Sequence, residues 1–186
     1  TNPTRITAMR FSVYQESRKG GRRINQDRMG YSFTRDALLM VLADGLGGHA
    51  FGEVAAQQAL QTLARQFQSQ ARPSIRNPAD FLQDTVMLAH REIHRYAEAN
   101  KLADVPRTTV VCCLIQNGQI HWAHAGDSRF YLMRKAALLT RTRDHSHAER
   151  PKPHGSDMPV NRNLLLTCLG SPTTPLFDIS PPLQLQ

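Results

Sequence analysis

The chain has 186 residues, 40% of them hydrophobic, and carries a formal net charge of +8 from 23 Lys and Arg against 15 Asp and Glu. That length suits one domain with a substantial core and argues against two. No apolar run approaches the roughly 20 residues of a membrane helix, and residues 1–10 lack the apolar centre of a secretory signal, so a cytoplasmic protein without a membrane partner is expected. The positive charge invites an anionic partner. It is dispersed, densest at Arg18, Lys19, Arg22 and Arg23, and lacks the aromatic interleaving of a single-strand binder, so nucleic acid is not expected. Cys112 and Cys113 are adjacent and Cys168 is distant, which is neither a disulfide framework nor a zinc spacing; buried thiols are expected.

In chain order, residues 10–15 alternate apolar and polar and predict a first strand, ended by the turn at Lys19-Gly20-Gly21. Met29, Tyr31 and Phe33 predict a strand over 28–34, with a turn at 34–36 and an antiparallel return over the apolar run 38–43. This hairpin would set Asp27 beside Asp44. Two carboxylates at such range repel unless a cation or a shared proton relieves them, and carboxylate oxygens are the donors that Mg²⁺ and Mn²⁺ prefer. Gly45, Gly47 and Gly48 then turn the backbone; taken alone, Asp44-Gly45 is more simply a turn before a helix. His49 follows, placed either to protonate a leaving oxygen, since an unperturbed imidazole titrates near 6.5, or to serve a structural role.

Ala56, Ala59, Leu60, Leu63, Ala64 and Phe67 share one helical face over 52–67. Asn77-Pro78 opens a second helix to about 100, striped by Leu82, Thr85, Val86, Ala89, Ile93 and Tyr96. Its His90 and His94 stand four apart, but Arg91 occupies the position where a zinc-protease motif needs glutamate, so surface histidines are expected. Strands are predicted over 108–116, 119–125, 129–133 and 137–140, the first two joined by the hairpin turn Asn117-Gly118. Strands grouped on either side of a helix pair predict an α+β fold. Gly126-Asp127-Ser128 bends the chain sharply between strands, and Trp122 reads as core.

Four ordered elements carry a resemblance: Arg22-Arg23-Ile24-Asn25-Gln26-Asp27, then LADGLGGHAFG over 42–52, then Thr108-Thr109, then Gly126-Asp127-Ser128-Arg129. They resemble the metal-dependent protein phosphatase family of the PP2C (PPM) type in its bacterial form, from about Ser12 to the C-terminus. The resemblance implies a single domain over 1–186, an α/β/β/α sandwich of two antiparallel sheets flanked by helix pairs, with two or three Mn²⁺ or Mg²⁺ ions at one edge. It implies that Asp27 and Asp44 bridge two ions, that the Gly45 carbonyl is a further ligand, that Asp127 serves a weaker third site and that Arg22 grips the substrate phosphate. A water between the metals would attack phosphoserine or phosphothreonine in proteins, opposing a cognate Ser/Thr kinase. His49 stays open between acid and structural roles. Asp144-His145-Ser146 matches a family element of unsettled role, 148–161 corresponds to a substrate-choosing flap, and 163–170 to a following strand or helix.

The family also has a Ser-Asp-Gly aspartate and an Asp-Asn aspartate as metal ligands in its C-terminal part, and neither motif occurs here. Asp157 and Asp178 lack the flanking residues and are not read as replacements. The chain is therefore expected to correspond to the N-terminal two-thirds or so of the domain. A catalytically inactive phosphatase-like module that binds a phosphoprotein or kinase is the alternative function.

Overall fold

The computed structural model describes residues 10–47, 51–146 and 164–185. His49, the flap segment 148–161 and Asn163 lie outside the described residues. The apolar run after the first turn forms β2 (Ala37–Asp44), which pairs antiparallel on one side with β1 (Asp27–Phe33) and on the other with β3 (Val110–Gln116). Asn117 and Gly118 take positive φ angles of 52° and 70°, the conformation a two-residue hairpin turn requires. They return the chain as β4 (Gln119–Ala125). Two short strands, β7 (Asp178–Ile179) and β8 (Leu183–Gln184), complete a six-stranded antiparallel sheet by pairing with β4. A separate hairpin joins β5 (Tyr131–Arg134) to β6 (Ala137–Arg141).

Period-2 alternation sorts the large sheet into two faces. Ala37, Leu39, Val41 and Ala43 of β2, Val110, Cys112 and Leu114 of β3, and Ala123 and Ala125 of β4 join one buried core. Helices α1 (Gly52–Gln70) and α2 (Pro78–Ala99) supply its other half through Ala55, Ala56, Ala59, Leu63, Phe67, Leu82, Val86 and Ile93. The small alanines of α1 let it lie close to the sheet; a methyl at Gly30 of β1 would already stand 3.2 Å from Leu60 Cδ1. Asn77 caps α2 by accepting the Asp80 amide at 3.3 Å, with Pro78 in the first turn, as the sequence predicts. No helix among the described residues is long and apolar enough to cross a membrane.

The opposite face carries Met29, Met40, Leu42, Val111 and Cys113, which line a shallow hollow together with Val13, Tyr14, Phe130 and Tyr131. The architecture is α+β with two antiparallel sheets and, among the described residues, one helix pair. The predicted strand at 10–15 does not form: the segment is extended but, among the described residues, no strand hydrogen-bonds to it. Its alternating side chains serve another purpose. Phe11 packs edge-on to Phe33 at 5.5 Å, and Val13 and Tyr14 cover the helix-free face, so the alternation marks surface contact instead of a ladder.

Two further expectations are corrected. His90 is buried, not on the surface: its Nδ1 accepts the Gly170 amide at 3.1 Å, while His94 Nε2 lies 3.0 Å from the Ser171 carbonyl oxygen. Burial pushes the His90 imidazole down to about 4, which keeps Nδ1 an acceptor. A helical pattern cannot reveal that a later loop covers this part of α2. Residues 164–170, in turn, form neither strand nor helix, only bridges from Leu165 to Ser146 and from Leu169 to Thr108.

Gln116 ties the connection between the helices to the sheet. It is buried, and its side chain both accepts the Ile75 amide and donates to the Ile75 carbonyl, each at 2.8 Å. Gln116→Leu would leave both backbone groups buried without partners. The expected loss is about 3 kcal/mol, a fall in melting temperature of roughly 6–12 °C, read by thermal denaturation; an unchanged melting temperature would mean that water replaces the bonds.

Candidate metal centre

The register of the first hairpin is what brings the acidic residues together. Asp27 and Asp44 are directly opposite partners across β1 and β2, and residues directly opposite project to the same face. That face is the helix-free one, at the end of the sheet where Asp27 begins β1. Asp127 joins them from the bend after β4, and all three carboxylates line a cleft of about 470 Å³ with Arg18, Lys19, Arg22, Asn25 and Gly45.

Asp44 is held through its backbone. Its amide donates to Thr109 Oγ1 at 3.1 Å, and its carbonyl accepts the Thr109 amide at 2.9 Å and the Thr108 hydroxyl at 3.0 Å. The Asp27 amide is fixed by Asn25 Oδ1 at 3.0 Å, and the Asn25 amide group reaches Ser17 Oγ at 2.8 Å. With both main chains pinned, the side chains cannot move apart to relieve their repulsion. Gly45 must be glycine because backbone converges on it: a Cβ would lie 2.4 Å from the Gly52 carbonyl and 2.8 Å from Gln26 O. Its amide bonds Gln26 O at 3.2 Å, which ties the end of β2 to the residue before Asp27.

The electrostatics record the crowding. The Asp44 carboxyl is pushed up to about 6, first by burial, then by the charge of Asp27 and its hydrogen bond, then by Asp127, with Arg22 acting against them. A donor set of carboxylate and carbonyl oxygens whose members destabilise one another's charge fits a hard divalent cation, which removes the repulsion by neutralising it. Arg22 is exposed at the cleft wall, near enough to influence Asp44, and forms no ion pair among the described residues. Five of the six residues singled out from sequence, Arg22, Asp27, Asp44, Gly45 and Asp127, therefore line one cleft; the sixth, His49, lies outside the described residues.

Several contributors lie in or beside the quoted motifs, but the sequence assigned them no role. Thr109 Oγ1 is 2.6 Å from Ser128 Oγ, which links the strand holding Asp44 to the residue after Asp127. Glu53 accepts from Gln26 Nε2 at 3.1 Å, bracing the backbone of the Asp27 approach from the first turn of α1. Arg129 grips Asp144 with two bonds of 2.7 and 2.6 Å and holds its carboxyl below the usual range. The contacts join residues far apart in sequence.

In the metal-free protein the charge of Asp44 is a liability. Its folded value of about 6 lies above the ordinary 3.8, so the penalty is absent below about pH 4, grows as pH rises and is complete above about pH 6. Asp44→Asn is expected to melt with wild type at pH 4 but above it at pH 7.5 without metal. The difference is on the order of 1 kcal/mol, or roughly 2–4 °C, after discounting for solvent at the carboxylate. Thermal melts in a chelating buffer decide it, and a variant less stable than wild type at pH 7.5 would show that the crowding is relieved some other way.

The protein phosphatase 2C profile matches residues 15–150. The serine/threonine phosphatase stp of Listeria innocua is 30% identical over 155 residues, an alignment that covers 78% of this chain and 61% of that protein. The chain thus spans about three-fifths of the length of the Listeria relatives it matches. Among solved structures, the serine/threonine phosphatase Stp1 from Staphylococcus aureus is similar with a TM-score of 0.74 at 25% identity, covering 87% of this chain and 66% of that one. The catalytic domain of the serine threonine protein phosphatase PstP, in complex with two manganese ions, is similar with a TM-score of 0.64 at 26% identity over 86% of this chain and 66% of that one. With the family profile spanning most of its length and its fold shared with these structures, the chain belongs to the protein phosphatase 2C family.

Proposed function

We propose that the chain carries the substrate-facing and metal-holding part of a phosphatase that removes phosphate from phosphoserine and phosphothreonine in proteins, opposing a cognate Ser/Thr kinase in the cytoplasm. The observation that carries the reading is the pairing of Asp27 with Asp44 across the hairpin, with Arg22 and Asp127 in the same cleft. Asp27, Asp44 and the Gly45 carbonyl would hold Mn²⁺ or Mg²⁺, and Asp127 an additional ion. Bound there, the ions would supply Lewis-acid stabilisation of the phosphoryl oxygens and would acidify a water to serve as the nucleophile towards phosphorus.

The chain's own residues do the rest. Arg22 offers the planar fork of donors that matches two phosphate oxygens, from a wall of the cleft where Arg18 and Lys19 add positive potential. Arg22 forms no ion pair among the described residues, which leaves the fork available for substrate. Asp27 and Asp44 are kept from drifting by their backbone bonds, so the positions of the donors are set before substrate arrives. His49, four residues beyond Gly45, is the proposed acid for the departing serine or threonine oxygen.

The alternative reading is a phosphatase-like module that binds phosphoprotein or kinase through the same cleft without hydrolysis. Mn²⁺-dependent phosphate release from an aryl phosphate and a phosphothreonine peptide separates the two. Activity that Asp44→Asn abolishes supports hydrolysis by these ligands alone. Activity only in a chain lengthened to the relatives' span supports the chemistry with ligands shared beyond residue 186, and none in either supports the binding module. Where activity is present, Arg22→Ala should raise KM for the peptide about 10- to 100-fold while leaving the Mn²⁺-induced rise in melting temperature intact; a loss of metal binding in that variant would remove Arg22 from the phosphate role.

A further inference from the structure

Asp127 differs from the other two carboxylates in lying outside every strand, in the bend between β4 and β5. It follows Gly126, whose φ of 103° is open to glycine and whose Cβ, if present, would lie 2.7 Å from Thr109 Cγ2. Such a bend needs an external hold. His145 provides it at both backbone groups: the Gly126 amide donates to His145 Nδ1 at 3.3 Å, and the His145 amide donates to the Gly126 carbonyl at 2.9 Å. On its far side His145 Nε2 meets Asp178 Oδ2 at 3.0 Å.

Strand β7 exists to deliver that carboxylate. It is two residues long, pairs Asp178 with His124 of β4, and is anchored by Ser180, whose amide bonds the Trp122 carbonyl at 2.8 Å and whose hydroxyl accepts the Trp122 amide at 2.9 Å. An acceptor at Nε2 fixes the ring in the tautomer that carries its proton there, which leaves Nδ1 free to accept from Gly126. His124 supports the ring from below, stacked at 4.3 Å and itself fixed by Nε2 on the Arg143 carbonyl at 2.8 Å.

We propose that His145, oriented by Asp178, is a positioning residue that pins the Gly126 bend and thereby sets Asp127 for its cation. The inference rests on the reading of Asp127 as a metal ligand given above. It assigns a role to the Asp144-His145-Ser146 element and to Asp178, which has no ligand role of its own. A zinc site built from the same three side chains is the rival, since one ligand atom from each of His124, His145 and Asp178 lies within 4.8 Å of the others. The contacts disfavour it. Both His145 nitrogens are committed to Gly126 and Asp178, and the two imidazoles lie within 14° of parallel, so their in-plane lone pairs run side by side instead of converging.

The test uses ¹⁵N-labelled protein and the variants His145→Asn, His145→Leu, Asp178→Asn and Asp178→Ala. Asparagine at 145 places an acceptor oxygen where Nδ1 stands, whereas leucine places none. Gly126 amide exchange in metal-free protein should quicken at least tenfold in His145→Leu, stay within about threefold of wild type in His145→Asn, and leave the β3 amides unchanged in both. The Mn²⁺ concentration for half-maximal binding at the weaker site, followed by calorimetry, should rise about tenfold in His145→Leu. It should rise less in Asp178→Ala and hardly at all in Asp178→Asn, which keeps an acceptor oxygen. Unchanged Gly126 exchange in His145→Leu overturns the proposal, as does equal acceleration of Gly126 and the β3 amides, which would mark a general loss of stability. A Zn²⁺-induced rise in melting temperature that both His145→Asn and Asp178→Asn remove would replace it with the metal site. Failure of Asp127→Asn to change any Mn²⁺ step, with Gly126 still released in His145→Leu, would refute the ligand reading of Asp127 and leave the pinning intact.

Discussion

Two like charges held opposite each other in an antiparallel ladder are the constraint on which the rest of this molecule depends. Directly opposed carboxylates destabilise a strand pair, and here burial, the opposed Asp27 and the nearby Asp127 together drive Asp44 up to about 6. The sheet tolerates this because β2 is central, bonded to β1 along one side and β3 along the other, and because its helix-facing residues Ala37, Leu39, Val41 and Ala43 are locked in the core. The hydrophobic side of β2 stabilises the arrangement that its last residue strains. The carboxylate and the core packing therefore sit on opposite faces of one eight-residue strand.

The strands that flank this pair explain why the site needs threonines and glycines. Thr109 bonds both backbone groups of Asp44 and packs against Gly126, so one residue of β3's approach meets the two segments that supply carboxylates. Gly45 is squeezed between Gln26 and Gly52, which brings the start of α1 against the end of β2. Where three pieces of backbone meet with no side chain between them, small changes in one are passed to the others, because close-packed interiors have little room to absorb them.

The large-scale layout was legible because it follows from periodicity. The β2 apolar run, the Asn117-Gly118 turn, the alanine-rich face of α1 and the Asn77-Pro78 start of α2 are local signals, and each element formed within a few residues of its expected place. Opposition of Asp27 and Asp44 was likewise legible, since a short turn fixes the hairpin register. Residues 10–15 misled because alternation describes a side-chain pattern and not a hydrogen-bonding partner. His90 misled because its cover comes from Gly170, 80 positions later. The links from His145 to Asp178 and from Thr109 to Ser128 span 33 and 19 positions; no local rule bears on them.

These differences in wiring set a hierarchy among the acidic residues. Asp27 and Asp44 are opposite partners in the β1–β2 ladder, and Asn25 and Thr109 reinforce that placement at their amides, so the folded sheet itself positions them. Asp127 is placed by a bend whose hold passes through an imidazole, an exposed carboxylate and a two-residue strand. A short strand at the sheet's margin opens at lower cost than a central one, so the Asp127 position is the one that local opening can release without disturbing the other two. If Asp127 takes a third ion, as proposed, the weakness of that site would have a physical origin in this fold: Asp127 lies in a bend held from outside by His145, while Asp27 and Asp44 are partners in the sheet ladder.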